Sequence, residues 1–163
     1  MSSTTAQLQI EQLADRPELL PIVATWIYNE WWTTVPDASV DSLTTRLQSH
    51  LVHGQIPLTL VASLGDRPVG TATLLAHDVG TEEWPDLSPW LAAVYVVPEY
   101  RRRGVGGALV NAVVDRATTV RFGMLHLLTA GREGFYARLG WQVRDRSEDS
   151  VVMSKRTDGS VAP

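Results

Sequence analysis

Residues 90–109 constrain the chain more than any other stretch. A nearly continuous apolar run, 90–97, is followed by Pro98-Glu99-Tyr100, three arginines, Gly104-Val105-Gly106-Gly107, and a long amphipathic pattern. An apolar run of that kind is what a strand covered on both faces requires. Val105, Ala108, Leu109, Ala112, Val113, Ala117 and Val120 recur at helical spacing, which predicts a helix over 104–122. The unit is therefore strand, glycine-rich turn, helix. A helix start leaves its first backbone N–H groups unpaired, and its dipole favours anions. Glycines let a phosphate approach those groups, and arginines add charge and donors. A helix terminus alone contributes about 0.3–1 kcal/mol per charge. Holding a pyrophosphate needs several directed N–H bonds and at least one arginine as well, and this segment can offer both. The plainer reading is a surface turn with a solvated arginine run.

At 163 residues the chain suits one domain, and folding at that length buries roughly 70% of the unfolded surface. It has no cysteine, which excludes disulfides, thiolate metal sites and a cysteine nucleophile and fits a reducing compartment. The net charge of −4 argues against nucleic-acid binding, for which a basic domain is expected. The N-terminal residues are polar, without the apolar centre of a signal peptide. No apolar run approaches the roughly 20 residues that span a bilayer. A soluble cytoplasmic protein, with neither membrane nor nucleic-acid partners, is the expectation.

Before the central unit, alternation suggests a strand over 8–13. Proline suits a first helical turn, so a helix begins at Pro17, with Leu19, Ile22, Val23, Trp26, Ile27 and Glu30 or Trp31 at three-and-four spacing. A second helix starts near Ser39 or Asp41, carries Val40, Leu43, Leu47 and Leu51 on one stripe, and stops at Gly54. Leu58–Leu64 and 69–76, around Gly65-Asp66-Arg67-Pro68, form a β-hairpin. Residues 78–89 read as a loop. After the long helix come a buried strand, Met124–Thr129, a short helix over 132–139, and a hairpin of strands 141–144 and 151–154. Residues 156–163 form a flexible tail, leaving a core of 8–155. The order β-α-α-β-β-β-α-β-α-β-β describes one mixed α/β domain.

Two nucleotide motifs fail on the glycine segment. The dinucleotide fingerprint needs a third glycine where Leu109 stands, and the P-loop needs Gly-Lys-Ser/Thr. What remains is Val94-Tyr95-Val96-Val97-Pro98-Glu99-Tyr100-Arg101-Arg102-Arg103-Gly104-Val105-Gly106, which resembles the acetyl-CoA motif of the GNAT superfamily of N-acetyltransferases. Downstream, Leu125-His126-Leu127-Leu128-Thr129 and then Phe135-Tyr136-Ala137-Arg138-Leu139-Gly140-Trp141 resemble that family's strand-helix-strand segment.

The resemblance implies an α/β (α+β) GNAT-like fold, a central mixed six- to seven-stranded sheet flanked by about four helices. It implies acetyl-CoA as cosubstrate and no metal. The backbone of Val94, Tyr95 and Val96 would contact the acetyl group and pantetheine, on a fourth strand that a bulge splays from the fifth. Arg101, Arg102, Arg103, Gly104, Val105, Gly106, Gly107 and Ala108 would hold the pyrophosphate. Tyr136 would be the general acid. A monomer or a homodimer is implied.

The chemistry accounts for these parts. Acetyl transfer from a thioester needs a deprotonated amine, donors for the developing oxyanion, such as the Val94 N–H, and a proton for the leaving thiolate. With no cysteine for an acyl-enzyme, direct attack in a ternary complex is expected. The other reading of Tyr136 is a helix tyrosine packed on the sheet.

The chain also departs from the family. The asparagine that many relatives carry before the tyrosine is missing from the short stretch 129–133, and Trp90 and Leu128 stand where some relatives place a glutamate base. Candidate bases are Glu30, Asp78, Glu82, Glu83, Asp86 and His126. Glu30 is preferred, because Asn29-Glu30-Trp31-Trp32 ends the first helix, where the family builds its acceptor groove; the other reading of each is solvated or structural. Trp31 and Trp32, with Trp84, form either an acceptor wall or core and rim. His50 and His53 are three apart but lack a third metal ligand. The short strand-to-helix segment resembles the subgroup of actin N-terminal acetyltransferases, which acetylate protein α-amines. Acetyl transfer to a primary amine, on a small molecule or a peptide N-terminus, competes with an acyl-CoA sensor that needs no proton donor and with an unrelated anion-binding domain.

Overall fold

A computed structural model describes residues 6–158. Seven strands form a single mixed sheet in the order β1-β2-β3-β4-β5-β7-β6. The strands are β1 (Leu8–Gln12), β2 (Leu58–Leu64), β3 (Arg67–Leu75), β4 (Trp90–Val96), β5 (Met124–Thr129), β6 (Gln142–Arg146) and β7 (Val151–Arg156). The α-helices are α1 (Leu20–Ile27), α2 (Val40–Leu47), α3 (Val105–Thr119) and α4 (Glu133–Arg138). β4 and β5 run parallel, with α3 as the crossover between them, and the other pairs are antiparallel.

Period-two alternation gives the sheet two differently covered faces. Leu58, Leu60, Ala72, Leu74, Leu91, Leu125, Leu127 and Met153 meet Val105, Leu109, Val110 and Val113 of α3, and Phe135, Tyr136 and Leu139 from the α4 segment pack on the same core. The other face carries Val61 and Ala93, which meet Leu20, Val23, Ala24 and Ile27 of α1 and Leu43 and Leu47 of α2. This second face also holds a buried polar layer whose members bond to one another. His50 Nδ1 lies 2.8 Å from Thr59 Oγ1, Thr59 Oγ1 lies 2.9 Å from Thr73 Oγ1, and His126 Nδ1 lies 2.6 Å from Ser154 Oγ. Pairing of this kind is what makes buried polar groups tolerable.

Several expectations are corrected. β1 stops at Gln12, and Leu13 turns into the α1/α2 core, fully buried. The first helical segment is three pieces: a 3-10 turn at Pro17–Leu19, then α1, then a π-helical turn at Tyr28–Trp32. Three, 3.6 and more residues per turn do not keep one phase. The buried stripe is therefore Leu20, Val23, Ala24 and Ile27, while Ile22 and Trp31 are exposed. α2 begins at a Ser39/Ser42 capping box, with both hydrogen bonds at 2.9 Å, and its helical course ends in a 3-10 turn at Gln48–His50, short of Gly54. Arg67 and Pro68 belong to β3, so Gly65 and Asp66 alone make the hairpin turn. α3 is shorter than 104–122 by a residue at its start and three at its end. β6 runs to Arg146 as an exposed edge strand, and β7 runs to Arg156, the residue expected to open the tail. Residues 159–163 of that expected tail lie outside the described residues.

Candidate acetyl donor site

β4 holds its full length against β3 but not against β5. Thr71 pairs with Tyr95 and Thr73 with Ala92, so β4 uses one more residue than β3 over the same interval. The extra residue is absorbed at Ala93, whose φ of 53° is left-handed. A bulge bends its strand and increases the local twist. The β4–β5 ladder accordingly consists of Trp90↔His126 and Leu91↔Leu127 and then stops. Beyond it the strands part, leaving the β5-facing edge of Ala92–Val96 without a ladder partner, a template for another extended chain. The same opening corrects the expectation of a strand covered throughout: Trp90, Leu91 and Ala92 are buried, and the residues from Ala93 to Val96 are only half-buried.

At the end of β4 the chain makes a 3-10 turn, Pro98–Tyr100, and enters α3 through Gly104. Ala108 N–H donates to Gly104 O at 3.0 Å, closing the first helical turn and leaving the N–H groups of Val105, Gly106 and Gly107 free of helical partners. Gly104 has φ 82° with open space where a Cβ would stand, so its backbone conformation, not crowding, calls for glycine. Arg102, φ 63°, is also left-handed. Left-handed residues alternating with others turn successive N–H groups toward one side, as anion-binding nests do. The three arginines are exposed, but two are partly engaged. Arg101 Nε donates to Val96 O at 2.8 Å, and its guanidinium lies 5.6 Å from the Tyr95 ring centre. Arg103 lies 5.3 Å from the ring centre of Tyr100. Arg101 thus pins the turn to the strand, a structural task that the run of three did not reveal.

α4 brings Tyr136 to this cradle. A Cβ on Gly106 would lie 3.5 Å from Phe135 Cζ and 3.6 Å from Val96 Cγ2, so the start of α3, the end of β4 and the residue before Tyr136 share one contact. The Tyr136 ring stands edge-on to Phe135 at 4.9 Å and to Trp141 at 6.1 Å. Burial pushes its hydroxyl up to about 12, against a small opposing effect of Arg132, so the phenol keeps its proton at neutral pH. Glu133 grips Arg146 in a bidentate pair, 2.8 and 3.0 Å, fastening the start of α4 to β6. Trp141 Nε1 is buried with no hydrogen-bond partner among the described residues.

The remaining candidates scatter over the opposite face. The π-turn carries Glu30, Trp31 and Trp32; Glu30 is exposed, Trp31 is 44% exposed, and Trp32 is half-buried with the Arg46 guanidinium 5.4 Å from its ring centre. His126 is a core residue bonded to Ser154, its ring 5.7 Å from Trp90; burial first, and Arg144 second, lower it to about 4, so it is neutral. His50 and His53 have separate partners, Thr59 and Asp15. Trp84 Nε1 donates to Asp145 Oδ2 at 2.7 Å, which makes it a rim contact to β6. Glu83 and Asp86 line a cleft of about 350 Å³ with Arg144 and Asp145. Asp78 is half-buried on the β3–β4 loop, and Glu82 is exposed beside it.

Comparison with known proteins addresses the donor side. The sequence pattern of the Acetyltransferase (GNAT) domain family matches residues 56–143, just over half of the chain. The chain belongs to the GNAT acetyltransferase family. Its seven-stranded mixed sheet with flanking helices is the GNAT fold. It is similar to YncA of Salmonella typhimurium, solved with its cofactor acetyl-CoA, at 19% identity over 96% of this chain and 97% of that one, TM-score 0.67. It is similar to an aminoglycoside 6′-N-acetyltransferase complexed with coenzyme A, at 14% identity over 95% and 99%, TM-score 0.72. The PaiA N-acetyltransferase of Thermoplasma acidophilum, in complex with coenzyme A, is 19% identical over 92% and 99%, TM-score 0.65. At these identities the likeness is one of fold. No curated protein matches the chain in sequence.

In this GNAT chain the matched stretch runs from the start of β2 into β6 and contains the parted strands, the cradle and Tyr136. α1, the π-turn and α2 precede it, so the family match speaks for the donor half of the molecule. Sequence reading missed Ala93, because a bulge depends on the partner strand's register, and Arg46, which touches Trp32 only in the folded chain. Gly70 carried a legible sign, a glycine inside a strand pattern. A Cβ there would stand 2.8 Å from Tyr95 O and 3.0 Å from Leu109 Cδ1, so β3, β4 and α3 close together only over glycine.

Proposed function

We propose that the chain is a cytoplasmic N-acetyltransferase that moves the acetyl group of acetyl-CoA to a primary amine by direct attack in a ternary complex. The observation that carries this reading is the continuity of one open strand edge, Ala92–Val96, with one helix start, Val105 to Gly107, under a half-buried tyrosine. A diphosphate joined to an extended amide-bearing arm needs those two features in that order. The N–H groups at the start of α3 hold the diphosphate, with Arg102 and Arg103 supplying charge. The backbone of Val94 to Val96 pairs with the arm as an added strand would. Bound acetyl-CoA supplies the thioester. The Val94 N–H faces the carbonyl oxygen as charge develops there, and Tyr136 gives its hydroxyl proton to the departing sulfur. The new C–N bond replaces the C–S bond, and the amine's excess proton leaves to a base. Glu30, beside Trp31 and Trp32 on the acceptor face, takes that part when an acceptor covers it.

Three fold relatives, one described with acetyl-CoA and two as N-acetyltransferases with coenzyme A, support the reading. The resemblance to the actin N-terminal acetyltransferases favours a peptide α-amine, and the aminoglycoside enzyme among the relatives favours a small molecule. Calorimetric titration is expected to show acetyl-CoA binding in the micromolar range, and free thiol should appear with at least one member of a panel of amines, aminoglycosides, polyamines and peptides. Neither heat nor a thermal shift at millimolar acetyl-CoA would overturn the proposal.

A further inference from the structure

The sheet face opposite Tyr136 is covered in two parts. α1 and α2 lie over its first half, where Val61 and Ala93 pack among their apolar residues. The β3–β4 loop, residues 76–89, reaches over the rest. Leu128 Cδ2 lies 3.5 Å from where a Cβ on Gly80 would stand, and Trp84 is bonded to Asp145 on β6. Leu128 is the first β5 residue past the last rung shared with β4. The loop therefore comes down beside the gap between these strands, on the side from which an acceptor meets a donor held beneath Tyr136.

Asp78 sits on this descending part, and its own turn holds it in place. Its Oδ1 accepts the Val79 N–H at 2.8 Å, and its carbonyl accepts Thr81 Oγ1 at 2.6 Å. The charge of Arg46 on α2 acts on both Asp78 and His50. Arg46 makes no ion pair with Asp78 among the described residues; its guanidinium lies over Trp32. Burial raises the Asp78 carboxyl above its ordinary value, Glu82 adds to that, and the Val79 N–H and Arg46 oppose it. A half-buried carboxylate with no cation in contact among the described residues gains by receiving one.

We propose that Asp78 seats the ammonium group of the acceptor, in a mouth bounded by the β3–β4 loop on one side and by Trp32 and Arg46 on the other. The acceptor class is a cationic primary amine with an apolar or aromatic body that lies along Trp32. This inference rests on the acetyl-transfer reading and assigns its substrate side.

The test compares tyramine with tyrosol, its uncharged alcohol counterpart, binding to the full chain in the presence of coenzyme A. The unsubstituted chain should prefer tyramine by about tenfold, as a charge-assisted contact gives. Asp78→Asn should abolish the preference while leaving acetyl-CoA affinity and Tm unchanged. Asp78→Glu should restore part of it, and Asp86→Asn, the same charge change on the same loop, should keep it. A preference that survives Asp78→Asn, or none in the unsubstituted chain, overturns the seat even if acetyl-CoA binds normally. Failure to bind acetyl-CoA overturns the transfer reading, and the seat with it.

Discussion

Burial moves Tyr136 and His126 in opposite directions, one up to about 12 and the other down to about 4, and leaves both groups neutral at physiological pH. In the proposed transfer, a tyrosine that keeps its proton has one available for the leaving thiolate at any physiological pH. Tyr136→Phe is therefore expected to slow thiol release about a hundredfold. Acetyl-CoA affinity from calorimetry should stay nearly unchanged, and an unaltered rate would remove Tyr136 from the mechanism. The buried, Ser154-bonded His126 is instead the satisfied core histidine that its apolar neighbours in sequence allowed as one reading. Tyr136 could be nominated from sequence because its neighbours form a motif. Arg101 was only half legible, since its bond to Val96 O needs the chain to turn back on itself.

Elements turn these residues into a site. The gap between β4 and β5 comes from one extra residue at Ala93, and the cradle comes from the way Gly104 admits the chain into α3. Gly106 separates the two possible effects of substitution there. A Cβ at Gly106 meets Phe135 and Val96 at ordinary contact distances, so Gly106→Ala should fold normally and keep most of its acetyl-CoA affinity. Gly106→Asp adds a carboxylate near a helix start, where a negative charge favours the helix by about 0.3–1 kcal/mol. It should nonetheless lower acetyl-CoA affinity about tenfold or more, by repelling the diphosphate. Titration of both variants, with Tm as the check on folding, decides this, and retained affinity in Gly106→Asp would move the diphosphate elsewhere. The same scale explains why the first helical segment departs from a single helix. Three helical pitches between Pro17 and Trp32 rotate the stripe, which a single period cannot represent.

Across the whole molecule, the buried polar layer makes stability depend on pH. His50 and His126 both fall from the ordinary 6.5 to about 4, chiefly through burial. Between those values the unfolded chain binds more protons than the folded one, so stability falls as pH falls through that window. His126 alone accounts for up to about 3 kcal/mol of this loss. Thermal unfolding followed from about pH 7.5 to about pH 4.5 should show Tm dropping, with a shallower slope in His126→Gln. An equal slope in both proteins would mean that His126 is not the buried neutral group described.

The sequence by itself determined the order of elements, the mixed α/β class and the motifs of the GNAT family. Periodicity, glycine placement and the two motifs are local properties, readable wherever the responsible residues are neighbours in the chain. Tertiary structure decided the rest. The parting of β4 from β5 depends on register against β3, the neutrality of His126 on burial beside Ser154, and the seating of the β3–β4 loop on the contact between Gly80 and Leu128. Each of these joins residues far apart in sequence, and burial and pairing between such residues exist only once the chain has folded.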